Sequence, residues 1–131
     1  LKEFVKTVLD ARGLSYKDFG CFSSESCDYP DFAHQLGMAI EAGEVYPGIA
    51  ICGTGNGISM TLNKHQSVRA ALCWSEEIAR LAREHNDANV LVMPGRFVAN
   101  VLAKNLVETF LDTDFEGGRH QRRVGKIPLQ K

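Results

Sequence analysis

Apolar residues recur with two different spacings along the chain, and these spacings predict alternating helices and strands. Near the start the apolar positions are Phe4, Val5, Val8 and Leu9, which is one face of a helix over residues 2–12. Residues 47–52 instead form a short unbroken apolar run, which is typical of a strand buried on both faces of a parallel sheet. The hydrophobic pattern therefore predicts both helices and strands in this chain.

The same reasoning orders the remaining elements. Pro30, with acidic neighbours in the first turn, predicts a helix that begins near Asp28 and ends at about Ala42. Further strands are predicted at 14–19 (weakly), 68–72 and 89–93; further helices at 58–64, 75–84 and 97–111; and loops at 20–26 and from 117 to the end, the latter polar and basic. This alternation predicts a three-layer α/β architecture with a mainly parallel sheet, in a single domain over residues 1–131.

Charge and composition exclude several function classes. Fifteen basic and sixteen acidic side chains give a net charge of -1, so no overall field attracts nucleic acid or anionic lipid. No apolar run approaches the length that crosses a bilayer. The four cysteines form no CxxC pair and no signal peptide is recognisable, so we expect free thiols in the cytoplasm.

Candidate chemistry begins where the apolar run ends, because ligands bind at the carboxyl ends of parallel strands. Cys52 ends that run and is followed by the sequence GTGNG at 53–57. Backbone amides in such a loop can approach an anion and lower the pKa of a thiol. A cysteine at this point can equally be a small hydrophobe that closes a strand. Neither a P-loop nor a GxGxxG pattern is present.

Two further groups of polar residues are candidates for the same site. His85 and Asn86 lie between a helix and a strand, and we expect them to face the rim that carries the glycine loop; an imidazole there is suited to proton transfer. Arg96 and the basic cluster after Gly118 have guanidinium groups that match phosphate oxygens. The alternatives are a helix-terminal histidine that interacts with the dipole and a solvated basic tail.

Several of these segments together resemble the ribose-5-phosphate isomerase B family. The similarity extends over essentially the whole chain and is carried by GIAICGTGNGIS at 48–59, NK at 63–64, VRA at 68–70, EHNDANV at 84–90 and EGGRH at 116–120. The galactose-6-phosphate isomerase subunits share parts of this combination. The resemblance implies a Rossmann-like fold, and interconversion of ribose 5-phosphate and ribulose 5-phosphate through an enediolate.

The resemblance also implies roles for individual residues. Cys52 corresponds to the residue that moves a proton between C1 and C2, and Ile58 places the chain in the subgroup that uses cysteine. The implied catalytic residues are Cys52, Thr54 and His85; the implied substrate-binding residues are Tyr29, Gly53, Gly55, Asn56, Gly57, Asn86, Arg96, Arg119 and Arg123. No metal or organic cofactor is implied. The implied assembly is a homodimer or a dimer of dimers with active sites at the subunit interface.

Two questions stay open on the sequence. The substrate could be a six-carbon galactose or allose 6-phosphate, or the chain could be a non-catalytic anion- or nucleotide-binding module. In addition, family members have a strand and an Asp-His loop before the helix at 2–12, so we expect this sequence to begin inside the domain. A gap one strand wide should then separate residues 14–19 from the strand that ends at Cys52.

Overall fold

Three parallel strands form the centre of the fold. The structure is a computed structural model that describes residues 1–21 and 27–130, and within these residues the strands are β1 (Gly48–Cys52), β2 (Ala70–Leu72) and β3 (Val90–Pro94). Their order in the sheet is β1-β3-β2. The register pairs Gly48 with Val90 and Cys52 with Pro94. Because parallel neighbours need a crossover, each strand is followed by a helix that runs back across the sheet.

Six helices are present in the described residues. They are α1 (Lys2–Ala11), α2 (Tyr29–Glu41), α3 (Asn56–Leu62), α4 (Glu76–Asn86), α5 (Asn100–Asp112) and α6 (Arg119–Val124). Local chemistry explains their ends: Ser75 Oγ accepts a hydrogen bond from the amide of Ile78 at the start of α4, and Pro30 stands in the first turn of α2. None of the described helices is long and apolar enough to span a membrane.

The sheet is buried on both faces, and β3 shows this by alternation. Val90 and Val92 point to one core, which α2 and α3 cover, whereas Leu91 and Met93 point to the other, which α1, α4 and α5 cover. All four side chains are fully buried. The predicted three-layer α/β fold with a parallel sheet is therefore confirmed.

Strand β2 is shorter than the predicted 68–72 because side chains replace the ladder at its start. Asn89 Oδ1 accepts a hydrogen bond from the Arg69 amide at 2.7 Å, and Asn89 Nδ2 donates to the Ser67 carbonyl at 2.8 Å. Asn63 Oδ1 accepts from the Ala70 amide at 2.8 Å. These contacts satisfy the one buried polar residue of the described core, Asn89, and join the amino ends of β2 and β3.

Two predicted elements are wrong. Residues 14–19 form no strand, since no neighbouring strand pairs with them in the described part of the chain. The basic segment after Gly118, predicted as a loop, contains α6. The loop predicted at 20–26 lies mostly outside the described residues.

The predicted gap beside β1 is present. Within the described residues β1 pairs with β3 alone, and a cavity of about 910 Å³ separates its other edge from the segment that follows α1. The cavity is lined on one side by Leu14, Tyr16 and Phe19 and on the other by Gly48 and Ile49, among others. No ladder crosses it.

The expectation of four free thiols is wrong for one pair. Cys21 and Cys27 form a disulfide, their Cα atoms being 6.5 Å apart, which is within the range that a disulfide spans. Cys52 and Cys73 are free. The two cysteines of the pair are six residues apart, a spacing that has no characteristic sequence signature.

One carboxylate ties the segment after α1 back to that helix. Asp18 Oδ2 lies 2.6 Å from Lys6 Nζ and Asp18 Oδ1 lies 3.1 Å from Lys2 Nζ, while the Gly20 amide donates to Oδ1 at 2.9 Å. Burial alone would raise the pKa of Asp18, but the bonds from Lys6, Gly20 and Lys2 outweigh it and lower the pKa to about 2.

The depressed pKa makes a pH-dependent contribution to stability that can be measured. Folding favours the charged form, so the contribution is present above pH about 4 and is lost as the pH falls toward about 2. We expect Asp18→Asn to lower the free energy of unfolding at pH 7, and the difference from wild type to shrink across that window in denaturant titrations. Asp114→Asn, which removes an exposed charge, is the control; an equal and pH-independent effect of both would contradict the assignment.

Candidate active site

The first group of candidate residues lies at the carboxyl edge of the sheet. Cys52 is half-buried at the end of β1, and its carbonyl accepts a hydrogen bond from the Gly95 amide at 2.8 Å. The Arg96 amide donates to the Gly53 carbonyl at 3.0 Å. The glycine loop is therefore tied to the turn that follows β3, which places Cys52 and Arg96 on one rim.

Glycine is required at two positions of this loop. Gly55 has φ +78°, and a Cβ there would overlap Leu72 and crowd Val92. A Cβ on Gly57 would overlap the phenol ring of Tyr29, so Tyr29 at the start of α2 packs against the loop. The absence of these side chains is what allows the loop to turn sharply into α3.

The remaining loop residues present polar groups at the same rim. Thr54 Oγ1 accepts a hydrogen bond from the Asn56 amide at 3.3 Å, and both side chains are exposed. Arg96 lies over Gly53, where a Cβ would come to 3.1 Å from Arg96 Nε. We call Tyr29, Cys52, Thr54, Asn56 and Arg96 the carboxyl-edge group.

The second group lies at the opposite edge. His85 and Asn86 are the last residues of α4, which returns to the amino end of β3. The Glu116 amide donates to the Glu84 carbonyl at 3.0 Å, which brings α6 next to them. There the rings of His85 and His120 stack with centroids 4.3 Å apart.

Arginines complete this second set. The side chains of Arg119 and Arg123 are exposed on α6, and Arg123 Nη1 donates to the Arg119 carbonyl at 3.4 Å. We call His85, Asn86, Arg119, His120 and Arg123 the amino-edge group.

The expectation that His85 and Asn86 face the rim of the glycine loop is wrong for residues of the same chain. His85 and Asn86 do not share a rim with the glycine loop, because a residue between a helix and the next parallel strand lies at the amino edge. Five-residue strands separate the two edges by about 13 Å of strand alone. The structure thus brings Tyr29, Cys52 and Arg96 together, and separately brings His85, Arg119 and Arg123 together.

The other free thiol is not a candidate. Cys73 at the end of β2 has no exposed surface, and burial raises its pKa to about 12. Its Sγ lies 3.5 Å from the Ala71 carbonyl, which accepts its weak hydrogen bond. Cys73 therefore serves as a small core residue.

Sequence reasoning gave no role to Glu116, and it considered His120 only as a member of the basic cluster after Gly118. His120 Nε2 lies 3.5 Å from Glu116 Oε1, and its side chain is 13 % exposed. The two residues are four apart, but the intervening glycines hide the helical spacing. Only the fold places this pair against His85.

The comparison with protein families decides the relationship. The model of the family described as Ribose/Galactose Isomerase matches residues 1–127. The chain belongs to this family. Membership confirms the resemblance drawn from the glycine loop and the two downstream motifs, and it makes the chain an enzyme, a sugar-phosphate isomerase.

Individual family members are similar over nearly the whole chain. The ribose-5-phosphate isomerase B of Escherichia coli is 46 % identical over 127 residues, which are 97 % of this chain and 85 % of that protein. The crystal structure of a ribose 5-phosphate isomerase from Thermotoga maritima is 49 % identical, with a TM-score of 0.94 over 97 % of this chain and 88 % of that one. The ribose-5-phosphate isomerase B of Mycoplasma genitalium, solved with bound ribulose 5-phosphate, is 41 % identical, with a TM-score of 0.90 over 96 % and 84 %.

The shape of the loop in this family member can be tested with a matched pair of glycines. Gly43 has φ +75°, close to that of Gly55, but a Cβ there would meet nothing within 4 Å. We expect Gly43→Ala to cost about 1 kcal/mol of unfolding free energy from backbone strain alone. Gly55→Ala should cost about 2–4 kcal/mol, because overlap with Leu72 adds to the strain.

Activity separates the two variants further. Gly55→Ala should lower kcat of the folded enzyme because it reshapes the loop beside Cys52, whereas Gly43→Ala should leave kcat unchanged. If both variants lost the same unfolding free energy and kept the same kcat, the packing of Gly55 against Leu72 would contribute neither to stability nor to activity.

Proposed function

We propose that the chain interconverts ribose 5-phosphate and ribulose 5-phosphate through an enediolate, with Cys52 as the residue that transfers the proton. The observation that carries this proposal is the half-buried thiol at the end of β1, directly followed by a glycine loop that turns into α3 and exposes the side chains of Thr54 and Asn56 at the same rim. Relatives named ribose-5-phosphate isomerase B, one of them with ribulose 5-phosphate bound, support the five-carbon substrate.

The proposed chemistry at Cys52 is a transfer of one proton between adjacent carbons. The thiolate removes the proton from C2 of the open-chain aldose, and the electron pair moves to the carbonyl oxygen to give the enediolate. The thiol then returns the proton to C1, while a proton moves from one oxygen to the other, which yields the ketose. A positioned base of this kind contributes about 10²–10⁴-fold to the rate.

The glycine loop is suited to hold the negative charge that develops on the substrate oxygens. Backbone amides of residues 53–57 lie beside Cys52, and Thr54 offers a hydroxyl at the same rim. Fixed donors stabilise an enediolate because they need no reorganisation during the reaction. We assign this role to Thr54 and the amides of Gly53, Gly55, Asn56 and Gly57, and we assign Tyr29 and Arg96 to the walls of the same pocket.

The amino-edge group supplies the remaining functions in this proposal. His85 is the residue for opening the furanose ring, with Asn86 beside it on the substrate. Arg119 and Arg123 bind the phosphate, for which exposed guanidinium groups on one helix are suited. No metal or organic cofactor takes part in the proposed reaction.

A homodimer follows from the separation of the two groups. A single chain holds them at opposite edges of the sheet, so a complete site needs a second copy that places its amino-edge group against Cys52. Exposed apolar side chains at the carboxyl edge support such a contact: Trp74 is 56 % exposed, Phe97 72 % and Val101 75 %. Two such dimers could assemble further without changing this argument.

The cytoplasm is the proposed location. The free thiols of Cys52 and Cys73 fit that reducing compartment.

Substitution of the proposed proton-transfer residue is the direct test. We expect Cys52→Ala to lower kcat for ribose 5-phosphate at least about 100-fold with little change in substrate binding, because the thiol acts mainly in the transition state. Cys73→Ala, which removes the other free thiol from the core, should cost stability but keep kcat. Turnover near wild type in Cys52→Ala would remove this residue from its role.

The same assay distinguishes the substrates. Wild-type rates with ribose 5-phosphate, allose 6-phosphate and galactose 6-phosphate should favour the five-carbon sugar. Binding of these sugars without turnover of any of them would instead favour a non-catalytic anion-binding module.

Mixing two inactive variants tests the shared site. Arg123→Ala should raise KM more than Cys52→Ala does, because it loses phosphate contacts and not the reacting group. A double variant Arg119→Ala/Arg123→Ala, unfolded and refolded with an equal amount of Cys52→Ala, should recover about a quarter of the wild-type activity, since half the dimers then carry one intact site of two. Each variant refolded alone is the control, and no recovery in the mixture would place both groups in one chain's site.

A further inference from the structure

We propose that His85, Glu116 and His120 form a binding site for Zn²⁺ at the amino edge of the sheet. One ligand atom from each of the three side chains lies within 4.8 Å of the other two. Among the described residues, no other set of three potential metal ligands converges in this way. The site is separate from the Cys52 rim of the same chain.

The fold, not the local sequence, assembles these ligands. His85 belongs to the last turn of α4. The Glu116 amide donates a hydrogen bond to the carbonyl of Glu84, the residue before His85, and this bond brings Glu116 close to His85. His120 follows in α6, with its Nε2 3.5 Å from Glu116 Oε1. Both histidine side chains are partly buried, so their rings are already confined.

The donor set matches the preference of zinc. Two imidazole nitrogens and one carboxylate oxygen, with a fourth position left to water or substrate, are ligands that Zn²⁺ takes in tetrahedral sites. Zn–N and Zn–O distances of about 2.0–2.1 Å require ligand atoms about 3.3 Å apart. The pair of Glu116 and His120 is already near that spacing. The stacked rings, inclined by 18°, must tilt to bring the third ligand in.

A second cluster of the same composition shows why residue types alone are not enough. His34 Nδ1 lies 2.8 Å from His65 Nε2, and His65 Nδ1 lies 2.6 Å from Glu41 Oε1. Both nitrogens of His65 are thus hydrogen-bonded in opposite directions, along a line that leaves no common point for an ion. This cluster serves as the internal control.

Zinc at this site would inhibit the enzyme, a consequence that rests on the proposed function. A ring nitrogen of His85 that donates its lone pair to the metal cannot transfer a proton, and the metal would stand beside Arg119 and Arg123. Their positive charges oppose cation binding, so we expect a reversible site that is weaker than a closed four-ligand zinc site.

The binding test uses the full chain and needs no activity. In competition with a chromophoric chelator near neutral pH, wild-type protein should bind one Zn²⁺ per chain. His120→Gln and Glu116→Gln should each weaken binding at least about tenfold, since even changes outside the ligand sphere commonly cost that much. His34→Gln, from the linear cluster, should retain wild-type affinity.

Cobalt distinguishes this site from a thiolate site. Co²⁺ in place of zinc should give the visible bands of a tetrahedral complex without the near-ultraviolet charge-transfer band of a sulfur ligand. Because all three ligands come from one chain, Cys52→Ser should leave both the spectrum and the zinc affinity unchanged, even though the proposed dimer brings the partner's Cys52 toward this edge. Wild-type affinity in both His120→Gln and Glu116→Gln, loss of binding in Cys52→Ser, or no binding by the wild type would overturn the proposal.

Inhibition is measured separately from binding. Zinc should lower the wild-type rate with ribose 5-phosphate, a chelator should restore it, and His120→Gln, compared with its own zinc-free rate, should need at least about tenfold more zinc. If zinc binds as described but the rate does not fall, the metal site stands and the role of His85 in the reaction fails.

Discussion

The common direction of the three strands is the constraint on which the rest of the structure depends. Because β1, β2 and β3 are parallel, every connection between them must cross the sheet through a helix. Residues that follow a strand are then at one edge, and residues that follow a helix are at the other. Cys52 and His85 are separated for this reason alone, whatever their chemical suitability for one reaction.

Side-chain hydrogen bonds join neighbouring segments at the amino edge of the sheet. Asn89 is buried and makes hydrogen bonds to the backbone of both Ser67 and Arg69, which join the start of β3 to the segment before β2. Arg83 adds bonds to Asp87 and to the Ala88 carbonyl at the end of α4. These contacts confine the last turn of α4, and therefore His85, on which both proposals made for the amino edge depend.

Under the proposed function, a second copy of the same chain completes the active site of this isomerase. The carboxyl-edge group contributes the thiol and fixed amides close to a rigid sheet, whereas the amino-edge group contributes long basic side chains from the short helix α6. Such a division suits the chemistry, because the reacting carbons need positions that do not move and the remote phosphate tolerates flexible ligands. It also leaves two imidazoles and a carboxylate close enough together to bind a metal.

Sequence patterns by themselves determined the parallel α/β class, the family, and the order of the elements apart from the strand wrongly predicted at 14–19 and the helix α6. The apolar run that ends at Cys52, the glycines after it and the helical face of α1 are local features, and the spacing of side chains along one segment is enough to identify them. The glycine loop at 53–57 was recognisable for the same reason. The residues of the candidate site could be named from local motifs, although nothing local indicated which of them are neighbours.

Tertiary structure decided the rest, since it depends on contacts between distant residues. The start of β2 at Ala70 depends on side chains of Asn63 and Asn89, and the spacing of Cys21 and Cys27 does not by itself specify that they pair. The helix α6 lies in a basic segment with a weak apolar pattern, and contacts with the distant helix α4 place it: the hydrogen bond from the Glu116 amide to the Glu84 carbonyl and the stacked rings of His85 and His120. Which edge each catalytic candidate occupies was settled only by the direction of the strands, because a one-dimensional pattern records the existence of a strand and not its neighbours.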